Sequence, residues 1–495
     1  MNTSVLALTL GCYVVAMFAL AFWVKGRIHS AEDYLVAGRR LPLSLAWATL
    51  LATWFGAGTL LTATDEVRAE GLRAAALEPI GAGLCLVVAG LFYARRLWEF
   101  KILTLPDFYG WRFGVRAEIV SSLIMVPGYF GWIAAQFVAL AGMLELYWGV
   151  PLGAGILLVA AVGTGYTLIG GMWSVTLTDA AQLVVLLLGL LVLGFSAFAE
   201  LGDGSGAVAG FMRLLEVTPP DRRVLIPTES LSELVGWLSL LAIGMLGNIP
   251  GQDLAQRIFA SKSARVAVQA CLLAGVLYVL FGFVPVLSGL AADLLGGAGQ
   301  NAATLPLLAS VLLSPWMGVL FVLALTSAVL STIDSAILAP GSVLANNLFR
   351  RLWPNASALS LSRWGVLLVA VASVSVAMLG ESAYSLLETA YAISLVGLFV
   401  PLTLGLMSRR GHARAAFASM ATGTIVWSIH LGLGWESFGG ELLGDLYLPQ
   451  ELVATLLAWV AYELAAWTER HAHAVDCVPP GAPDGMGSTH RSRLS

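Results

Sequence analysis

The chain has 495 residues, of which 58% are apolar and only 11% charged, and its formal net charge is −4. Soluble domains carry about 25% charged residues, so this composition excludes a protein whose whole surface faces water, and the small negative balance gives no signal for nucleic acid. Apolar runs of about 20 residues, each long enough to cross a ~30 Å hydrocarbon core, recur along the whole length. They are continuous and rich in Leu, Ala, Val and Gly, unlike the alternating segments of about 10 residues that build a barrel. The solvent is therefore a lipid bilayer, and the backbone must satisfy its own polar groups within helices.

In chain order the runs predict thirteen membrane-spanning helices, over residues 4–24, 43–64, 72–93, 117–147, 151–170, 173–198, 231–250, 265–290, 316–345, 360–380, 384–407, 414–435 and 449–467. A short extra helix is expected over 304–315, ahead of the ninth. The first run has neither a basic leader nor a small-residue cleavage site, so it reads as a retained helix rather than a signal peptide. The four cysteines show no spacing that suggests a metal site or a disulfide framework. Residues 1–467 form the predicted transmembrane domain. The Pro-, Gly- and Ser-rich stretch 468–495 is expected to be a disordered cytoplasmic tail.

Lysine and arginine set the orientation. With the N-terminus extracytoplasmic and the C-terminus cytoplasmic, all 26 basic residues except Arg68, Arg73, Arg213, Arg222 and Arg223 fall on the cytoplasmic side. One helix more or fewer would scramble this alternation. Cysteines introduced as Asn2→Cys and Ser488→Cys are therefore expected to react with an impermeant maleimide from opposite faces of the membrane. Labelling of both from the same face would contradict the helix count. The expected location is the cell (inner) membrane.

Two of the runs are interrupted. The second reads Thr53-Trp54-Phe55-Gly56-Ala57-Gly58-Thr59, and the seventh ends Gly247-Asn248-Ile249-Pro250-Gly251-Gln252-Asp253. Glycine favours departure from the helix, threonine can satisfy a freed carbonyl, and Pro250 has no N–H to donate. Either run alone could be a packing seam, because small residues let membrane helices approach closely. The pair lies five helices apart, at matching places in helices 2–6 and 7–11, and an odd offset inverts the topology between the two units. Paired broken helices in inverted repeats point to a solute and ion site near the bilayer midplane.

The ninth run carries a polar cluster from Thr326 to Ser335. Ala328, Ser331 and Thr332 are three and four apart and share one helix face. Two hydroxyls and a carbonyl on one face suit sodium, a hard monovalent cation. The same groups would serve equally to hold neighbouring helices or to bond back to the preceding turn. Asp179, early in the sixth run, is a functional candidate as an ionisable group in a membrane helix, with a helix-start cap as the alternative. Asp334 is read as facing the inner interface or capping its neighbours. Glu78 and Glu388 are placed toward the outer face, without a role.

Five stretches in order, Asp33 to Pro42, Thr104 to Gly114, Tyr166 to Gln182, Gly251 to Ala267 and Ser327 to Ser335, resemble the signature segments of the sodium/solute symporter family. The likeness covers about 1–467. It implies an all-α integral membrane fold with a leucine-transporter-like five-plus-five inverted repeat. It also implies a sodium site made by carbonyls of Ala52, Phe55 and Ala328 and hydroxyls of Ser331 and Thr332, with Asp179 on the sodium exit path. Within the family, the segments around Trp54, Tyr166 and Gly251 resemble the high-affinity choline transporter branch. Trp54 and Trp132 match two of that branch's three cage tryptophans, and Gly251 stands at the third, which leaves one wall of the cage open. Trp54, Thr59, Tyr129, Trp132, Gln252 and Asp253 are the expected solute contacts.

The function expected from these residues and this resemblance is sodium-coupled import of a small organic solute by alternating access. Candidate solutes are an amino acid such as proline, a quaternary amine or a small carboxylate. A transporter-like sensor acting through a partner protein and an uncoupled channel are the alternatives. No constellation of nucleophile, base and metal ligands points to an enzyme.

Overall fold

The computed structural model describes residues 3–26, 28–296, 303–380, 382–408, 410–435, 437–440 and 447–468. The predicted tail beyond Thr468 lies outside them. Among the described residues the fold is all-helical, with no β-strand. By length and composition, nine helices can each cross a membrane, and two further pairs pass the same test as bent spans. One of the nine, Leu152–Leu201, has 50 residues. At 1.5 Å per residue it would be about 75 Å long, more than twice the hydrocarbon thickness. It breaks at Gly171, whose φ of 51° and ψ of −157° lie outside the helical region; the ring and carbonyl of Tyr34 fill the place a side chain would take there. This break divides the predicted fifth and sixth spans. With Gln450–Thr468 as the last, the helices match the thirteen predicted runs in order. The extra helix ahead of the ninth span is Thr304–Leu312.

The bent pairs are the two predicted interruptions. Leu43–Trp54 and Gly58–Glu70 meet at 52°, and Leu231–Gly247 and Gln252–Ala260 meet at 41°. They form spans 2 and 7. The third span is Leu72–Glu99, the fourth Val115–Trp148, the eighth Ala264–Ala291, the ninth Pro315–Leu352, the tenth Ala358–Ala377 and the eleventh Ala383–Met407.

Packing divides these spans into two groups. Spans 2, 3, 7 and 8 lie against one another, and spans 4, 5, 6, 9 and 10 form a second set. Small residues set the closest approaches, as membrane helices require. A methyl group on Gly275 of span 8 would stand 2.9 Å from the carbonyl of Gly83 on span 3, and one on Gly365 of span 10 would stand 2.4 Å from the carbonyl of Gly341 on span 9. Both broken helices face span 9, which is buried from Val322 through Val343 except at Leu323. At one end of the helices, the Arg39 guanidinium donates to the carbonyls of Lys101 and Ile102 at 2.9 Å, and Leu41 pairs with the strand-like segment at Ala260 to Lys262. The start of span 2 and the ends of spans 3 and 7 are thereby tied together.

Candidate functional site

At the first break, Phe55 ends the helix with ψ of 62°. The Ala57 N–H, which would have continued the ladder, donates instead to Oε1 of Gln136 on span 4 at 2.7 Å. Gly56 is pressed against span 9. A Cβ there would lie 2.7 Å from Gln136 Oε1 and 2.8 Å from Thr332 Cγ2. Only glycine allows the broken helix to approach this closely.

Span 9 meets the break with its polar face. The Thr332 hydroxyl stands 3.2 Å from the Ala328 carbonyl, 3.3 Å from that of Thr53 and 3.5 Å from that of Ala52. The Ser331 hydroxyl donates to Asp179 Oδ1, and the Thr49 hydroxyl donates to Asp179 Oδ2 at 2.5 Å. Ala52, Ala328, Ser331 and Thr332 thus converge, with Asp179 directly behind Ser331, and Phe55 stands at the break beside them. Every group in the set is an oxygen ligand, and all are at least 97% buried. A desolvated cluster of carbonyls, hydroxyls and one nearby carboxylate suits a weakly charged hard cation rather than a transition metal. Among the described residues no group of three or more His, Cys, Asp or Glu could hold a metal.

Arg257, counted with the inner loops by its sequence position, is fully buried. Its guanidinium donates to Ser335 Oγ at 2.6 Å and to the Asp253 carbonyl at 3.0 Å, and it is the positive charge acting on both Asp179 and Asp334. Asp334 is 1% exposed and accepts from the hydroxyl of its neighbour Ser335 at 3.3 Å. Buried charges need such partners to be tolerated.

At the second break a narrow cleft of about 20 Å³ lies between Gly128, Tyr129 and Trp132 on span 4, Gly247, Asn248, Gly251 and Asp253 on span 7, and Ala390, Tyr391 and Ser394 on span 11. The Tyr129 hydroxyl donates to Asp253 Oδ1 at 2.5 Å and accepts from the Asp253 N–H at 3.0 Å. The Tyr129 and Trp132 ring centroids are 5.7 Å apart. Of the expected solute contacts, Tyr129, Trp132 and Asp253 come together here. The other three are engaged elsewhere. The Trp54 indole donates to the Ala82 carbonyl at 3.1 Å. Gln252 accepts from the Leu105 N–H at 2.6 Å and donates to Ser342 at 3.3 Å. Thr59 bonds to Glu78 and Tyr278.

The wall expected to be open at Gly251 is filled. A Cβ at that position would meet Asp253 Oδ1 at 2.8 Å and the Asn248 carbonyl at 2.9 Å. Gly251→Trp is therefore expected to weaken the binding of any cation held by Asp253, because the indole must displace its carboxylate. Isothermal titration of the variant against the parent protein checks this, and tighter binding would show that the ring finds room.

Glu78, given no role from the sequence, is 2% exposed and lies against the first break, bonded to Thr59. Gln136, Asn248 and Tyr391 were also not singled out. For Glu78 a signal existed: a carboxylate within an apolar run is a functional candidate by default.

The model of the "Sodium:solute symporter family" matches residues 34–423. High affinity choline transporter 1 of Homo sapiens is 27% identical over 434 residues, covering 81% of this chain and 72% of the relative. The sodium/proline symporter of Staphylococcus aureus is 25% identical over 483 residues, covering 91% of each. Among solved structures, the substrate-bound outward-open state of a Na+-coupled sialic acid symporter aligns with a TM-score of 0.75 at 19% identity, over 94% of this chain and 98% of that one. This last likeness shows the fold, the leucine-transporter-like inverted repeat expected from the broken helices.

Proposed function

The chain belongs to the sodium:solute symporter family, and on that premise we propose that it imports a small organic solute bearing an ammonium or amine group, driven by sodium, by alternating access. It is a multi-pass membrane protein of a transporter family; relatives named as transporters favour this reading over a sensor. The observation that carries the proposal is the meeting of the broken second span with the hydroxyl face of the ninth, at Thr332, Ala52 and Ala328. Carbonyls of Ala52, Phe55 and Ala328 with hydroxyls of Ser331 and Thr332 are the proposed sodium ligands. Asp179, bonded to Ser331, is placed to receive the ion as it leaves.

The solute class follows from the cleft. Asp253 offers a carboxylate, and Trp132, Tyr129 and Tyr391 offer ring faces. A cation over such a face gains about 0.5–1 kcal/mol when exposed and about 2 or more when desolvated. Choline, betaine and proline all carry a positive nitrogen. Trp54, Thr59 and Gln252 act in this reading by holding the broken helices in shape.

The ligand set is tested one oxygen at a time. Ser331→Ala and Thr332→Ala are each expected to raise the sodium concentration that half-activates solute binding while leaving the protein monodisperse. Thermal-shift titrations with sodium, and with potassium as control, measure this. An unchanged midpoint in both variants would place the ion elsewhere.

A further inference from the structure

Glu78 sits where four spans meet. It accepts from Thr59 on the outer half of span 2 at 3.2 Å, from Tyr278 on span 8, and from Tyr391 on span 11 at 3.1 Å. Tyr391 also forms part of the solute cleft. The functional reading above makes no use of this carboxylate, and a buried carboxylate without a cation is costly. The groups acting on it are hydroxyls only. The other titratable groups within its field are Cys85 on its own span and Tyr384 on span 11, and Tyr384 also feels Glu66 of span 2 and Glu388 of its own span. Span 7, packed against residues Leu77–Gly81, brings one titratable side chain in its first half, Glu233, in its outermost turn. Asp65 and Glu66 lie outward of Thr59 on span 2. Among the described residues no Lys, Arg or His acts on Glu78.

The hydrogens can be counted. Thr59 Oγ1, Tyr278 Oη and Glu78 Oε2 are each within hydrogen-bonding distance of the other two. Three contacts need three hydrogens, and each hydroxyl has one to give. With an ionised carboxylate the triangle holds two, so one contact sets lone pair against lone pair. One proton on Oε2 closes the ring: every oxygen then donates once and accepts once. The Tyr391 hydroxyl donates to the remaining oxygen, Oε1.

We propose that Glu78 is a proton-binding site linked to the solute cleft. One proton taken from water converts the carboxylate to a neutral carboxylic acid. The closed ring then ties the outer half of span 2 to spans 3 and 8 around the carboxyl group that also holds Tyr391 at the cleft wall. Loss of the proton leaves one contact of the triangle without a hydrogen, so its oxygens must separate; Tyr391, whose bond to Oε1 strengthens with the charge, is carried with the shifted carboxylate. The link to solute rests on the assignment of the cleft; the binding of the proton does not.

Two measurements on the full chain in lipid separate these parts. Infrared difference spectra between about pH 9 and about pH 5 are expected to show the C=O stretch of a protonated carboxylic acid that Glu78→Gln removes and Tyr278→Phe displaces. Absence of the band, or its persistence unchanged in Glu78→Gln, would overturn the proposal whatever the solute. Choline binding at saturating sodium reads the link, because a quaternary ammonium does not itself titrate. Binding is expected to tighten as pH falls, by at most about tenfold per pH unit for one linked proton. Glu78→Gln, whose amide can donate in place of the acid, is expected to keep the acid-side affinity and lose the slope. Binding that tightens as pH rises, with that slope lost in Glu78→Gln, would overturn the link and make Glu78 a counter-ion for the solute.

Discussion

Gly56→Ala is expected to raise the half-activating sodium concentration about 10- to 100-fold without unfolding the protein. The added methyl would lie within 3 Å of three atoms, Gln136 Oε1, Thr332 Cγ2 and Thr332 Oγ1. Overpacking of this kind costs about 1–3 kcal/mol, and ~1.4 kcal/mol corresponds to a factor of ten. The backbone of the break cannot retreat easily, because the Ala57 N–H is held by the same Gln136 oxygen. Relief must come from Thr332 moving away from the Ala52 and Ala328 carbonyls, which dismantles the proposed sodium site while leaving the helices in place. Sodium titration of solute uptake, with size-exclusion profiles as the folding control, measures the effect. A midpoint within a factor of two or so of the parent would show that sodium does not sit at this contact.

The largest loss of stability is expected from Arg257→Gln. The guanidinium is fully buried, makes hydrogen bonds to Ser335 and to the Asp253 carbonyl, and is the positive charge acting on Asp179 and Asp334. Removing one partner of a buried charged cluster costs about 3–5 kcal/mol, because the charges left behind are uncompensated. The variant should melt at markedly lower temperature in detergent. The charge argument makes a second demand: Asp334→Asn in the Arg257→Gln background should recover part of the loss, since charges that act on one another are not additive. If the double variant melts no higher than the single one, Arg257 stabilises by packing and hydrogen bonding alone.

Much of the fold is legible in the sequence because the bilayer leaves few options. A continuous apolar run must be a helix, and the arginines mark its ends. The two breaks are equally legible, since Gly56, Gly58, Pro250 and Gly251 each act on the local backbone. The hydroxyl face of span 9 follows from helical spacing alone. The solute cleft does not. Trp54 is chemically suited to a cage, but its indole is spent on the Ala82 carbonyl, a contact decided by how span 3 packs against span 2. The reading of Gly251 as an open wall fails for a similar reason. The absence of a side chain at one position says nothing about which neighbour fills the space, and here Asp253 of the same turn does so. The roles of Glu78 and Arg257 were not legible because each depends on the breaks: Glu78 is itself a non-helical residue of span 3, and Arg257 belongs to the helix Gln252–Ala260 that continues span 7 beyond its break, where the sequence suggested a loop.

The central claim is that sodium drives solute uptake through the contact between the broken second span and span 9. The most direct test is accumulation of radiolabelled choline, betaine and proline by proteoliposomes under an inward sodium gradient and an interior-negative potential. One charge crossing 100 mV contributes ~2.3 kcal/mol, equivalent to about 50-fold accumulation of a neutral solute at ~1.4 kcal/mol per decade. The account predicts that at least one of these solutes is concentrated well above its external level in sodium, and that collapsing the gradient releases it. Equal uptake when sodium is replaced by potassium on both sides would contradict it.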